Sequence, residues 1–409
     1  MKRLFTVLFI SAIFSLSAFA EERFFNERYF DVTIDLPVNF SNNLIGTKDV
    51  LQEKVLIDFT QIADNMGEDG FKMILDAKPK VSFGLDIPNG LVLKLNIGVD
   101  VYSTIGIGKA LFDFIGYGNT INEDINIDVN GYADAFGYVG LDVGWNTKKF
   151  SLTVSPNIYY ALFHLSADES KVVISNSESG EFGYDLVGNL AIHSDYQFFN
   201  AEGKFDPEFI FQNDYIHVLK NCGFDLTVAA SYDLYRYLTL YGSARIPIYP
   251  CKINKVSDYK VTSSMHTTIM DIGNPQFNYE MTKSEVRDET ITLNRPMKFN
   301  INGKFHPFNG VMDYYAGLGL GIEHPFASEG VKTDFYFDYF LGMRLGFWNV
   351  LNFYVSTERT DKIYSHKFKV DINLRIFELM VGVAAESSSF TGSFRGAGVG
   401  AFAQVSVGM

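Results

Sequence analysis

Apolar and polar residues alternate one by one through most of the chain from residue 28 onward, and helical periodicity is rare. Since successive side chains of a strand point to opposite faces, this alternation predicts strands with one apolar and one polar face. The clearest segments are 90–103, 149–162, 335–347 and 364–375. The same pattern fits 28–40, 71–86, 125–143, 222–232, 237–248, 296–306, 311–323, 350–358, 377–387 and 394–409, and more weakly 183–198 and 207–219.

The connections between these predicted strands alternate between short and long. Many strands are long enough to cross a bilayer, which takes about 9–11 tilted residues, whereas strands of soluble domains are mostly about 5–6 residues. Short turns at one end and long loops at the other are typical of outer-membrane barrels. Counting the strands back from the C-terminus gives an even number, 14 or 16. The long connections are 41–70, 104–124, 165–182, 249–295, 324–334, 359–363 and 388–393.

The two faces of each predicted strand differ in a way that assigns them to lipid and lumen. The polar faces repeatedly carry Lys, Asp, Asn and Arg along strands of bilayer length, and closure of the sheet removes its edges. We therefore predict an all-β, transmembrane, antiparallel up-and-down barrel. In its last strand the apolar set that includes Val399, Val405 and Met409 faces lipid and Gln404 faces the lumen. A secreted soluble β protein is the alternative.

The N-terminus has the features of a secretory signal peptide. Lys2 and Arg3 precede an apolar run over 4–14, and Ala18-Phe19-Ala20 matches a small-x-small cleavage site. The apolar run is short for a membrane anchor, which needs about 20 residues. We predict a signal peptide over 1–20 and a single barrel over 21–409, placed in the bacterial outer membrane with its C-terminus in the periplasm.

Charge and cysteine content narrow the partners. The formal net charge is −14, which makes nucleic acid a poor partner, so we expect outer-membrane lipid and the barrel-assembly machinery instead. Cys222 and Cys251 bracket the predicted hairpin 222–232/237–248 and reach the same end of it. A disulfide between them would clamp the base of the long external loop 249–295 in an oxidising compartment. Two thiols in different loops are the alternative.

Basic residues on the predicted lumen faces are candidates for binding a carboxylate, although they fit ordinary lumen lining as well. The seven histidines show no metal-ligand spacing, and no G-x-S-x-G sequence occurs. We therefore expect no catalytic residues, no metal, no cofactor and no enzymatic activity. The candidate substrate-binding residues are Lys94, Arg245, Arg344, Lys367, Lys369 and Arg375.

Two stretches carry a resemblance to a known family. These are "KALFDFIGYGN" at 109–119 and "LNRPMKFNINGKF" at 293–305. Together with the barrel pattern, they resemble a spirochaetal family of outer-membrane barrels usually grouped with FadL-type importers of long-chain fatty acids. The resemblance implies an N-terminal hatch inside the barrel. Since strand-like sequence begins at 28, soon after the predicted cleavage, 41–70 and 104–124 are the candidate plug or cap segments instead.

The resemblance and the barrel pattern together predict a function. We expect a channel or transporter for hydrophobic or amphipathic small molecules such as long-chain fatty acids. One alternative is a surface-exposed adhesin or interaction scaffold that acts through 165–182 and 249–295. A general porin is the other.

Overall fold

The computed structural model describes residues 28–44, 46, 58–88, 90–118, 120–167, 170–196, 219–268, 276–284, 286–307, 311–329, 331–347 and 350–409. The helices are α1 (Phe59–Asn65), α2 (Ala110–Tyr117) and α3 (Phe390–Arg395). The strands are β1 (Phe30–Asn42), β2 (Phe71–Ala77), β3 (Lys80–Ile87), β4 (Leu91–Ile107), β5 (Ile125–Asn146), β6 (Phe150–Ser166), β7 (Ser170–Asn176), β8 (Glu181–His193), β9 (Gly223–Tyr235), β10 (Leu238–Tyr249), β11 (Cys251–Thr268), β12 (Gln276–Lys283), β13 (Arg287–Leu293), β14 (Met297–Phe305), β15 (Met312–Glu323), β16 (Asp334–Phe347), β17 (Leu351–Thr360), β18 (Ile363–Asn373), β19 (Phe377–Ser387) and β20 (Gly398–Gly408).

These strands form one closed antiparallel sheet. The last strand pairs with the first, from Asp31 opposite Gly408 to Phe40 opposite Val399. The pairs β2/β3, β10/β11 and β13/β14 are each nearly continuous, and each counts as one wall strand. β12 pairs along β11 and is left out of the count. The barrel then has sixteen strands in the described part of the chain. The predicted fold class is confirmed, and the strand number is the larger of the two that parity allowed.

The two ends of the barrel differ. At one end, here called the turn end, short connections join β3 to β4, β5 to β6 and β9 to β10. At the opposite end, called the loop end, β7, β8, β11, β12 and β13 continue the sheet past the other strands. There β5 pairs with β7, β7 with β8, and β8 with β11. These five strands are called the loop-end extension below.

The outer and inner surfaces of the barrel have opposite chemistry. On β20, Val399, Val405 and Val407 are exposed on the outside, whereas Gln404 and Ser406 are buried on the inside, which is the face assignment that the sequence predicts. The same division runs through the other wall strands. Exposed on the outside are, among others, Ile34, Phe83, Leu95, Ile97, Val139, Leu141, Leu318, Leu320, Phe337, Leu341, Val355, Phe368, Val381 and Val383.

The structure corrects the loop predictions at the loop end. Residues 165–182 and 249–295, expected to be loops, contain β7, β11, β12 and β13. Their strands were missed because they pair at the loop end, beyond most of the other strands, where the burial of only part of a face weakens the alternation. The weak segment 183–198 is largely β8, and most of 207–219 lies outside the described residues.

Two of the helices belong to the segments predicted as plug or cap. The Asp58 side chain accepts from the Gln61 backbone N–H and so caps α1. α1 packs on α2, where a Cβ on Gly116 would lie 2.9 Å from the Ala63 side chain. In the described parts of 41–70 and 104–124, no residue lines the lumen cavities described below. The rest of 41–70 is not described, so the plug stays a prediction. Among the described residues, no helix has the length and apolar character needed to span a membrane.

The hairpin of β9 and β10 brings the two cysteines to the same end of adjacent strands. Tyr249 pairs with Phe224. Cys222 lies two residues before Phe224, and Cys251 lies two residues after Tyr249. In the structure both side chains are thiols, and the buried Cys251 Sγ donates to the Leu293 carbonyl at 3.3 Å. The predicted Cys222–Cys251 disulfide therefore stays a prediction that the strand register allows.

We expect this disulfide to form in an oxidising compartment. The denatured protein should then take up no iodoacetamide before reduction and two equivalents after reduction, as measured by intact mass. Cys251→Ser should cost roughly 3 kcal/mol of stability if the bond forms, because the unfolded chain loses a cross-link. Alkylation of both thiols without reductant in protein taken from the cell envelope would show that no bond forms.

Candidate functional site

The hairpin of β17 and β18 is short at the loop end, and its turn lies inside the barrel. The first residues of β16, from Asp334 to Asp338, continue past the last residue that pairs with β17. Asp361 and Lys362 form the turn, with φ of 50° and 69° and with only 5% and 9% of their surfaces exposed. Left-handed backbone at residues other than glycine costs roughly 1–2 kcal/mol each, so contacts of the turn must offset this cost.

Asp361 provides part of those contacts by joining three walls of the barrel. Its carboxylate accepts from the Lys78 ammonium, which lies between β2 and β3, and from the Lys298 ammonium of β14. The Tyr336 hydroxyl donates to the same carboxylate at 2.8 Å. Lys78 also pairs with Asp76 at 2.8 Å. Lys78, Asp361 and Lys298 thus form an ion-paired bridge across the lumen.

Lys362 ties the same turn to the loop end of the barrel. Its ammonium lies 2.8 Å from the Glu323 carboxylate and 2.6 Å from the Asp334 carboxylate. It also lies 5.9 Å and 5.8 Å from the ring centres of Tyr102 and Tyr336, within the range of cation–π attraction. The turn is therefore fixed on both sides by charged contacts.

A second bridge spans the lumen beside the first. The buried Arg295, between β13 and β14, donates to Asp225 of β9 at 2.8 Å and to Asp100 of β4 at 2.8 Å. Its guanidinium lies 4.2 Å from the ring centre of Tyr138. Arg245 of β10 also approaches Asp100, at 3.7 Å. Each buried charge in this cluster thus has a partner of opposite sign, which buried ions require.

Two cavities lie on opposite sides of the first bridge. The larger, of about 250 Å³, is bounded by β14 to β18. Gly317 in its wall leaves room for the Asn302 side chain, which a Cβ at Gly317 would contact too closely. The smaller, of about 40 Å³, has several aromatic rings in its wall. The residues that line both cavities are Asp76, Lys78, Lys298 and Asp361, and we call these four the lumen partition.

Aromatic side chains surround the smaller cavity. The rings of Tyr102 and Tyr132 lie 5.7 Å apart, and Phe136 and Tyr336 also contribute to the wall. Carboxylates and ammonium groups border this aromatic surface at the partition. The smaller cavity therefore presents ring faces next to a charged constriction.

A buried histidine cluster closes the wall near this chamber. Asp134 of β5 accepts from His164 Nδ1 at 2.7 Å and lies 3.0 Å from His324 Nε2. Burial by itself would lower the pKa of His324, but the Asp134 carboxylate raises it above the ordinary value. A charged His324 therefore stabilises the loop between β15 and β16 against β5, and this contribution is lost as the pH rises through that raised pKa.

The predicted carboxylate-binding residues are dispersed. Lys94, Arg245, Arg344, Lys367 and Lys369 lie on inward faces of four strands, while Arg375 lies exposed in the turn between β18 and β19. Carboxylates of the chain approach four of the inward residues. These pairs are Lys94 with Asp31 at 3.9 Å, Arg245 with Asp100 at 3.7 Å, Arg344 with Asp313 at 2.7 Å, and Lys367 with Glu358 at 2.5 Å.

Lys369 has a different neighbour. Its ammonium lies 4.7 Å from the ring centre of Phe402, and so does that of Lys367. The structure therefore brings Lys367 and Lys369 together over one ring and keeps the other candidates apart. Only Lys367 of the six borders the larger cavity.

The sequence analysis missed the residues of the partition. Asp361 and Lys362 were assigned to an external connection, 359–363, and Lys298 and Lys78 were not singled out. One signal was present in the length of this connection. At five residues it is the shortest of the connections assigned to the loop end, and 388–393, with six residues, is the next shortest. Because the other connections at the loop end are longer, the turn of this hairpin lies below the rim of the barrel, and its charged residues face the lumen.

The described residues thus define a closed barrel with an apolar exterior and a charged, ion-paired interior. No known protein-family model matches the chain, and no curated protein sequence does either. Among solved structures, the chain is similar to the toluene transporter TbuX of Ralstonia pickettii, with 9% identity, coverage of 97% of this chain and 95% of that one, and a TM-score of 0.48.

Two further structures show a comparable likeness. The toluene transporter TodX of P. putida has 8% identity, coverage of 93% and 89%, and a TM-score of 0.43. The monoaromatic hydrocarbon channel CymD has 7% identity, coverage of 97% and 94%, and a TM-score of 0.45. The likeness is remote in every case, so the fold of this chain rests on its own strand pairing and its function on its own residues.

Proposed function

We propose that the protein is an outer-membrane β-barrel that passes hydrophobic or amphipathic small molecules, with long-chain fatty acids as the candidate cargo. The observation that carries the location is the belt of exposed apolar side chains around a closed sheet. Soluble monomers rarely expose contiguous apolar patches larger than a few hundred Å², whereas lipid accommodates such a belt and leaves the polar faces to the lumen.

The orientation follows from the two ends of the barrel. Short turns of outer-membrane barrels face the periplasm and longer connections face outward. We therefore place the turn end, with Met409 and Phe30 hydrogen-bonded to each other, in the periplasm. The loop-end extension then lies outside the cell. The barrel-assembly machinery remains the expected partner in insertion.

The cargo class rests on the aromatic chamber and on the sequence resemblance to FadL-type importers. Tyr102, Tyr132 and Phe136 offer ring surface to an apolar chain. Because most of the inward cations already pair with carboxylates, a cargo carboxylate would have to compete with Asp313 at Arg344 or with Glu358 at Lys367. Affinity for cargo is therefore expected to come mainly from its apolar part.

The test is uptake of a fluorescent fatty-acid analogue into vesicles that contain the purified barrel. We expect uptake above that of protein-free vesicles, and a severalfold lower rate for Tyr102→Ala because the chamber loses ring surface. Tyr279→Ala on β12, whose ring is 61% exposed away from the lumen, is the matched control and should keep the parent rate.

Other outcomes would point to the alternatives. A barrel that binds no analogue and conducts ions freely is a general porin. A barrel that inserts, passes neither ions nor analogue, and still attaches to host molecules through the exposed strand β12 is a surface scaffold. All eight residues of β12 are exposed, and this observation favours the surface scaffold as the second candidate function.

A further inference from the structure

The lumen partition lies between the two lumen cavities described above. Its four residues line both cavities, and two of them, Lys78 and Lys298, come from separate walls and pair with Asp361. The side chains of Asp361 and Asp76 are 8% and 6% exposed, and those of Lys78 and Lys298 are 23% and 19% exposed. The partition is therefore shielded, yet its lysines reach open space in the lumen.

Four carboxylates and four basic groups are matched as ion pairs at this level. Asp76 and Asp361 face Lys78 and Lys298, and the adjacent Asp100 and Asp225 face Arg245 and Arg295. A mobile ion that enters must either break one of these pairs or lose its hydration without compensation, and both are costly at low dielectric. These pairs by themselves carry no excess of either sign with which to attract one kind of ion.

The turn that carries Asp361 is held in place by these same contacts. The Asp361 backbone N–H donates to Asp338 Oδ1 at 3.2 Å, and the Tyr336 hydroxyl donates to its carboxylate. Both turn residues have positive φ. Removal of the Asp361 charge therefore leaves two ammonium groups without their shared partner and weakens the closure at its centre.

We propose that the lumen partition, centred on Asp361, is the barrier to ions in this barrel, and that its net charge sets which sign of ion passes once one of its pairs is broken. The inference rests on one part of the proposed function, that the barrel spans a membrane, and is independent of the cargo. Asp361 forms ion pairs with lysines from two opposite walls, so a single substitution there changes both the width and the net charge of the constriction.

The substitutions Asp361→Asn and Lys298→Met change the net charge of the partition in opposite directions. The asparagine keeps the size of the side chain and leaves one excess positive charge, whereas the methionine leaves one excess negative charge. The matched control is Asp258→Asn, whose carboxylate forms an ion pair with Arg287 in the exposed loop-end extension. That substitution removes the same charge at a distance from the lumen.

The experiment measures single-channel conductance and reversal potential in planar bilayers under a potassium chloride gradient. We expect low conductance for the parent and for Asp258→Asn. Asp361→Asn should conduct severalfold more, with preference for anions, and Lys298→Met should also conduct more, with preference for cations. Opposite signs of the reversal potential identify the partition, because a general loosening of the barrel would move both variants in the same direction.

Other results would overturn the inference. If both variants migrate as folded, heat-modifiable barrels and keep the conductance and reversal potential of the parent, the barrier lies elsewhere. If only one variant folds, a reversal potential of the sign expected for it supports the inference, and the parent's reversal potential overturns it. Failure of the folded parent to associate with bilayers at all would contradict the proposed membrane location instead, so the two failures are distinguishable.

Discussion

Leu341→Arg is expected to destabilise the folded barrel strongly, while Phe277→Arg is expected to leave it unchanged. Leu341 is 56% exposed on the outer face of β16, and Phe277 is 61% exposed on β12 of the loop-end extension. In a soluble protein, two such exposed apolar residues would tolerate arginine about equally. In a membrane barrel, arginine at the bilayer midplane costs about 2–4 kcal/mol, and the cost falls to about 0–1 near the interfaces.

The measurement is urea unfolding of both variants in lipid vesicles, followed by tryptophan fluorescence and by heat-dependent migration. The expected result is a lower midpoint for Leu341→Arg with the slope of the parent, since a change in midpoint alone reports a change in stability. Repetition in vesicles of thinner lipid should shrink the difference, because the arginine then lies closer to an interface. Equal midpoints for the two variants in every lipid would argue against a membrane around β16.

The wall of the barrel could be predicted from sequence because one physical rule governs each of its strands. In β18, Phe368 and Ile372 face outward and Lys369 and Asp371 face inward, so a period of two is present in the sequence itself. β2 and β3 were predicted as one strand, and residues 78 and 79 between them interrupt it. Lys78 there is one of the partition residues, which is why the irregularity matters for the site.

The partition could not be predicted because its residues are far apart in sequence and have no local signature. Lys78 and Asp361 are separated by 283 positions. Their approach depends on the closure of the ring and on the depth of one turn, and neither property is present in a single segment. The loop-end extension was missed for a related reason: β8 and β11 pair with each other across 181–193 and 256–268, in segments whose two faces are similarly exposed.

Arg295→Met is expected to cost the largest share of stability of any single change in the lumen. Asp225 is fully buried, and it accepts from Arg295 at 2.8 Å and from Asn157 at 2.8 Å. Removal of the arginine leaves this carboxylate and part of the Asp100 interaction without a counter-charge. Loss of one partner of a buried pair typically costs about 3–5 kcal/mol, and contact with the Tyr138 ring is lost as well.

Arg287→Met is the matched control, because Arg287 also pairs with two carboxylates, Asp258 and Glu289, but with 54% of its side chain exposed. It should cost no more than about 1 kcal/mol, as is usual for surface pairs. Unfolding of both variants in urea measures the contrast. The double variant Arg295→Met with Asp225→Asn should recover part of the loss, since the amide carries no charge that needs compensation. Equal costs for the two arginines would mean that water reaches Asp225 and that the second bridge does not close the lumen.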